Sequence, residues 1–259
     1  MADRTGFLAA VGLFTIVPAP YAEIDRTTAR RAVRALPWLG LVLGLVAALA
    51  AWLVGLRSGP LLVAVVGVTV PIALTGAMHL DGLADTADGL GSRKPATEAL
   101  DVMRRSDIGP MGVVSIVVAL LVQVAAIAGI SSRGAALVVI ALQPLVGRVT
   151  ILSATIRGIP LARAKGFGAL VGGVTTVLGA VAGHLLALLV CGAAGWWQEG
   201  AWGALAMGVS FLAATGISTI WRSRLARRLG GLTGDTFGSL IEVSQTGFAL
   251  VAALLLGAL

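Results

Sequence analysis

From residue 35 to residue 56 the chain carries no charged side chain, and comparable runs recur at 108–132, 135–156 (interrupted by Arg148 alone) and 201–221. About 20 apolar residues in a helix cross the hydrocarbon of a bilayer. Lipid offers no partner to a free peptide group, so such runs must satisfy their backbone internally, as helices. The expected fold class is therefore all-α: a polytopic helical membrane bundle of about six to seven crossings. A short interfacial or re-entrant helix is expected over the uncharged stretch 5–21, which is too short to cross. With 58% hydrophobic and only 12% charged residues in 259, the chain has no room for a soluble module. Residues 1–259 read as one membrane-embedded domain. The lone cysteine, Cys191, excludes an internal disulfide and gives no thiolate metal site.

Taken in order, a basic loop over 22–34 holds Arg26, Arg30, Arg31 and Arg34, and the first crossing follows. A turn at Arg57 and Gly59-Pro60 leads to a second crossing, expected to kink at Pro71 and to end near Met78. The polar stretch 93–107 precedes the crossing at 108–132. Arg133-Gly134 turns the chain into the run 135–156, expected to break near Pro144 and Arg148. After the loop 157–165, the run 166–198 is too long for one straight crossing, so its glycine-rich start reads as loop or helix end. Gly168/Gly172 and Gly179/Gly183 have the small-xxx-small spacing that suits close helix packing. The run 201–221 and a last helix over 239–259 complete the bundle. His184, mid-run, reads as a packing residue, and Trp196, Trp197 and Trp202 as anchors at a membrane boundary.

The formal charge of +7 could point to nucleic acid, but the positions of the basic residues account for it better. Fifteen of the 19 Lys and Arg lie in the segments 22–34, 93–105, 157–165 and 222–228. The alternate turns hold only Arg57 and Arg133. By the positive-inside rule the four basic segments face the cytoplasm. Asp81, Asp85, Asp88, Glu98, Asp101, Asp107, Asp235 and Glu242 fall on the same side. A one-sided set of chemical groups fits an enzyme at the cytoplasmic surface better than a transporter, whose polar groups belong near the midplane.

Two motifs carry the chemistry. His79-Leu80-Asp81-Gly82-Leu83-Ala84-Asp85-Thr86-Ala87-Asp88-Gly89-Leu90-Gly91 places three carboxylates within eight residues. On a helix, 81, 85 and 88 share one face, where like charges repel unless a cation sits among them. Carboxylate oxygens suit Mg²⁺, and Gly82, Gly89 and Gly91 leave room for a ligand to approach the backbone. The plainer reading is a solvated acidic helix cap. Gly230-Gly231-Leu232-Thr233-Gly234-Asp235-Thr236-Phe237-Gly238-Ser239 precedes the last helix and has the make-up of a phosphate cradle. An aspartate there makes sense where a metal bridges it to phosphate. Arg222, Arg224, Arg227 and Arg228 just before it serve either phosphate or the membrane edge.

The first motif resembles the signature of the cobalamin synthase family, adenosylcobinamide-GDP ribazoletransferase. Residues 230–238 resemble that family's second block, and the stretches 14–20, 103–112 and 163–168 are weaker matches in the same order, so the resemblance spans nearly the whole chain. Two positions depart from the pattern: Ile16 stands where a basic residue is common, and Arg105-Ser106-Asp107 where the family often has Asp-Ser-basic. The resemblance implies transfer of adenosylcobinamide-GDP onto α-ribazole or its 5′-phosphate, giving adenosylcobalamin or its 5′-phosphate and GMP, with Mg²⁺. Asp81, Asp85, Asp88 and Asp235 are then the catalytic and metal-holding set, with Asp107 and Glu242 as secondary metal candidates and Asp88 a candidate proton acceptor. His79, Gly82, Thr86, Gly89, Ser106, Arg163, Thr233, Gly234, Thr236 and Gly238 are the expected substrate or phosphate contacts. The expected partners are the small-molecule substrates, the lipid bilayer of a bacterial cytoplasmic membrane and, as an option, a second copy of the chain, but no nucleic acid. A CDP-alcohol phosphotransferase ranks second, because its Asp-Gly-x-x-Ala-Arg block needs arginine where Thr86 stands. A cation or metabolite transporter ranks third.

Overall fold

The computed structural model describes residues 4–20 and 25–257; Tyr21 and residues 22–24 of the expected basic loop lie outside the described residues. The elements are α1 (Arg4–Phe14), α2 (Arg26–Gly55), α3 (Pro60–Leu74), α4 (Met78–Gly91), α5 (Ala96–Val102), α6 (Pro110–Ala128), α7 (Arg133–Ala154), α8 (Phe167–Val171), α9 (Val177–Leu229) and α10 (Gly234–Leu256). Among the described residues five helices are long and apolar enough to cross a membrane, and the bent pair α3–α4 adds a sixth candidate. One of the five, α9, is two arms. Glu199 and Gly200 leave helical geometry, Gly200 with φ +58°. A β-carbon on Gly195 would run into the backbone of Gly203, so the second arm folds back on the first. Trp196, Trp197 and Trp202 are exposed around that reversal, as membrane-boundary anchors should be.

The short apolar α1 does not cross, and Ile16 N–H donates to Leu74 O at 2.9 Å, tying its exit to the end of α3. The arginines at 26, 30, 31 and 34 are not in a loop. Asp25 Oδ1 accepts from Thr28 N–H at 2.7 Å and caps α2, so all four ride on its first turns.

The core is the packing of α2, α9 and α10 around α7. α7 runs unbroken through Pro144, against expectation, because neighbours on most sides hold it straight. Close approach of α2 and α7 comes from Gly40 and Gly44: a β-carbon at either would strike the carbonyl of Pro144 or of Ala141. This is the small-xxx-small contact that the sequence reading placed elsewhere. Gly168 lies instead against the Thr233–Gly234 backbone, Gly172 against Leu161 and Gly183 against Leu152, while Gly179 meets only side-chain atoms of its own helix start.

The expected kink at Pro71 is also displaced. α3 continues to Leu74, and the break falls at Gly76 and Ala77, with φ +59° and +60°. α4 leaves at 89° to α3. It therefore lies across the end of the bundle, at a steep angle to the long helices.

Two ends of the bundle are defined by contacts. At one, Ser131 N–H donates to Leu256 O at 3.1 Å, and Gly134 meets Gln198. At the other, Arg26 donates to Gly172 O at 2.8 Å, Arg222 to Ser153 O at 2.7 Å, Arg163 to Leu100 O at 2.7 Å, and Arg228 to Lys94 O. The four basic segments thus gather at one end, together with α4 and the start of α10.

Candidate active site

The two motifs, some 150 residues apart in sequence, meet where α4 crosses the first turns of α10. Glycine makes this possible. A β-carbon on Gly82 would sit 2.6 Å from Asp235 O, and one on Gly238 would sit 3.0 Å from His79 O. The space expected for a ligand at Gly82 and Gly238 is thus filled by backbone. Gly89 is likewise closed by Met103 and Ala99 O, and Gly91 by Met111.

α4 is helical, as the spacing requires, but its three aspartates part company. Asp81 is exposed and Asp85 half-buried on the open side. Asp88 turns to α6: its two oxygens accept from Gly109 N–H at 2.7 Å and Gly112 N–H at 2.8 Å. Gly109 is the N-cap of α6, where a helix leaves N–H groups without partners, so Asp88 serves as its cap. Asp235 comes in from α10. Its Oδ2 accepts from Thr233 Oγ1 at 3.2 Å and lies 3.7 Å from Arg163 Nη1. Arg163 therefore supplies part of the positive charge that a carboxylate cluster demands. It is not enough for Asp85, whose carboxyl is pushed up to about 7 by burial first, and then by the charges of Asp81, Asp235 and Asp88.

The threonines of the second motif are already engaged. Thr236 N–H donates to Thr233 Oγ1 at 3.2 Å, Thr233 N–H to Thr236 Oγ1 at 2.8 Å, and Thr236 Oγ1–H to Thr233 O at 2.8 Å. This reciprocal capping box starts α10 and uses the hydroxyls assigned to phosphate. Gly234 remains open apart from ordinary contact with Phe167. Thr86 is fully buried with its hydroxyl unpartnered. Ser106 and Asp107 are exposed in the segment between α5 and α6.

Glu242 lies two turns below Asp235 in a buried polar network. Gln123 Nε2 and Gln245 Nε2 each donate to its carboxylate at 3.3 Å, and Gln143 donates to Gln123 Oε1 at 2.6 Å. Arg148, 1% exposed, donates to Pro144 O at 3.2 Å and pairs with His79 Nε2 at 3.2 Å. His79, Arg148, Glu242 and the three glutamines line one small cavity of about 20 Å³, room for about one water. His79 is thus a buried partner of Arg148. The sequence reading took Arg148 only as a helix break and passed over the glutamines; polar side chains inside apolar runs were the available signal.

Among the described residues no three His, Cys, Asp or Glu side chains form a ready-made metal cage. Mg²⁺ does not need one, because it takes one or two carboxylates and completes its shell with waters and substrate phosphates. Asp81 and Asp235 stand on one rim with Asp85 beside them, and burial together with their charges raises the Asp85 carboxyl. That donor set, all oxygen and in excess of its one arginine, fits a Mg²⁺ ion held jointly with phosphate.

Behind the rim opens a chamber of about 210 Å³ between α1, α2, α4, α7, α8 and α10. Its walls are largely apolar, and Phe14 and Phe167 meet edge to face across it, with centroids 5.5 Å apart.

The sequence profile of cobalamin-5-phosphate synthase matches residues 6–253. The chain is 36% identical to the adenosylcobinamide-GDP ribazoletransferase of Frankia casuarinae, over 97% of this chain and 94% of that protein. It is 32% identical to the Brevibacillus brevis enzyme of the same name, over 95% and 96%, and 38% identical to that of Stutzerimonas stutzeri, over 85% and 86%. No solved structure matches it significantly.

Proposed function

The chain belongs to the cobalamin-5-phosphate synthase family, and from that premise we infer that its adenosylcobinamide-GDP ribazoletransferase activity is carried out at the crossing of α4 and α10. One observation supports the placement above the rest: Gly82 lies directly under the Asp235 backbone, so the two acidic motifs share a single rim.

In the reaction a ribose hydroxyl oxygen of α-ribazole, or of its 5′-phosphate, attacks the phosphorus on the cobinamide side of the pyrophosphate. The new P–O bond forms as the bond to the bridging oxygen breaks. GMP leaves with that oxygen, and the hydroxyl proton passes to the carboxylate rim. Mg²⁺, when bound, would neutralise charge on the pyrophosphate oxygens. Asp81, Asp85 and Asp235 would hold it. Burial raises the Asp235 carboxyl, and Arg163, already paired to it, offsets part of that rise and fixes its direction. Thr233 and Thr236 act one step back, holding the α10 start at which Gly234 faces the rim. Asp88 belongs to the scaffold, since both of its oxygens are used by α6.

We place this rim at the cytoplasmic face, because the end of the bundle that carries it also gathers the four basic segments. We also take the chain to act as one catalytic unit. Membranes bearing the protein should release GMP from adenosylcobinamide-GDP only when α-ribazole or its phosphate is added, and Mg²⁺ should be required. GMP release without an acceptor, or none with either, would overturn the assignment. A reporter after Lys94 should read cytoplasmic and one after Gly200 external; the opposite result would overturn the sidedness alone.

A further inference from the structure

We propose that the chamber behind the rim binds the aromatic base of the acceptor riboside, while the donor's pyrophosphate lies outside on the carboxylates. The proposal rests on the ribazoletransferase reading and adds where one substrate sits.

Size and polarity choose the occupant. Adenosylcobinamide is far too large for about 210 Å³. The guanine of the donor can give N1–H and N2–H₂ to a carboxylate, but its O6 and N7 acceptors still need hydrogen-bond donors when buried. The chamber lining includes Phe14, Ile151, Phe167, Phe237 and Ile241, and among the described residues its only polar side chains are His79, Asp81 and Asp235. Two of those are acceptors, and the third spends Nε2 on Arg148, which leaves one ring N–H to donate, enough for one acceptor and not for two. A benzimidazole, by contrast, is flat and apolar, with one free ring nitrogen once it is joined to ribose. Buried apolar and aromatic walls suit it. The polar atoms on the lining are grouped toward α4 and the start of α10. A riboside entering base first would therefore leave its ribose hydroxyls at Asp81 and Asp235, where the attacking oxygen is needed. The edge-to-face pair Phe14–Phe167 closes the chamber from α1 and α8, which gives the non-crossing N-terminal helix a task in acceptor selection.

The test varies the base with the wild-type protein in nanodiscs. The α-ribosides of 5,6-dimethylbenzimidazole, benzimidazole and adenine are compared as acceptors, with binding measured by equilibrium dialysis without donor. Two buried methyl groups should favour the dimethyl compound over benzimidazole by about tenfold, and adenine, with its unpaired ring nitrogens and amino group, should be weaker still. Phe14→Leu should raise KM for α-ribazole by about tenfold, leave KM for adenosylcobinamide-GDP within twofold, and shrink the difference between bases. A rise in donor KM alone would hand the chamber to guanine and overturn the proposal. Equal affinity for all three bases in wild type would overturn it too, as would unchanged acceptor KM in a folded Phe14→Leu, which would leave the chamber to lipid. GMP release persisting in any of these cases would spare the activity assignment; only its loss from wild type with every acceptor would remove that.

Discussion

Gly238 of α10 rests on Gly82 of α4 so closely that a β-carbon on Gly238 would lie 3.3 Å from the Gly82 Cα. This backbone contact holds the two acidic motifs at one rim, and it has no slack. Gly82→Ala would press on Asp235 O from 2.6 Å. The expected cost is about 1–3 kcal/mol of stability, with at least a tenfold fall in kcat as the Asp235 start of α10 is pushed away. Thermal unfolding in detergent and steady-state GMP release read the two effects separately. Full activity in Gly82→Ala would mean that the crossing tolerates separation and that the rim is not assembled there.

Below the rim, Arg148 holds His79 at the start of α4, and Glu242 lines the same cavity. Removing only the cation leaves a buried carboxylate without it. Arg148→Met should destabilise the protein by about 3–5 kcal/mol, and the double variant Arg148→Met with Glu242→Gln should recover a large part of that. A double variant no more stable than the single one would show that Arg148 and Glu242 do not act as a pair.

The helices were legible because an uncharged run of sufficient length has few alternatives in a membrane. The stripe of Asp81 and Asp85 was legible because helical spacing alone puts them together. Partner-dependent features were not. Gly40 and Gly44 differ from Gly179 and Gly183 only in what faces them, and no local signal says that α7 will lie against the first pair. Pro71 marked the wrong residue for the break, since a helix can carry proline while Gly76 and Ala77 take the left-handed turn. Thr233 and Thr236 have the composition of a phosphate loop, yet their hydroxyls close a capping box. Asp25 could have warned that Arg26 begins a helix, because an aspartate just before a run of helix formers is a common N-cap.

Asp88 separates scaffold from chemistry. Asp88→Ala leaves the Gly109 and Gly112 N–H groups without their acceptor, which should cost about 1–2 kcal/mol by analogy with other lost helix caps. Asp88→Asn keeps one acceptor oxygen and should lose less than tenfold in turnover. Unfolding midpoints and GMP release on the same preparations decide it. An Asp88→Asn protein of native stability but crippled turnover would return Asp88 to the catalytic set.

Asp85 is where burial and charge crowding become measurable. Its carboxyl is raised from the ordinary 3.8 to about 7, so the folded protein keeps a proton that the unfolded chain gives up. The sign follows from linkage: this contribution to stability is full below the ordinary carboxylate range and lost as pH rises toward 7. Above that, the metal-free protein carries an unrelieved negative charge. Mg²⁺ should therefore raise the unfolding temperature more at pH 8 than at pH 5.5. The Mg²⁺ concentration for half-maximal turnover should climb by roughly tenfold per pH unit below about 7, as proton and cation compete for one carboxylate. Asp85→Asn removes the titrating group but keeps its size. It should stabilise the metal-free protein at pH 8, flatten both the pH and Mg²⁺ responses, and cut turnover by orders of magnitude. A wild-type protein working at full rate in EDTA would remove the cation from the mechanism. If Asp85→Asn then stayed active, the α4 stripe would be no more than an acidic surface beside the Arg163–Asp235 pair.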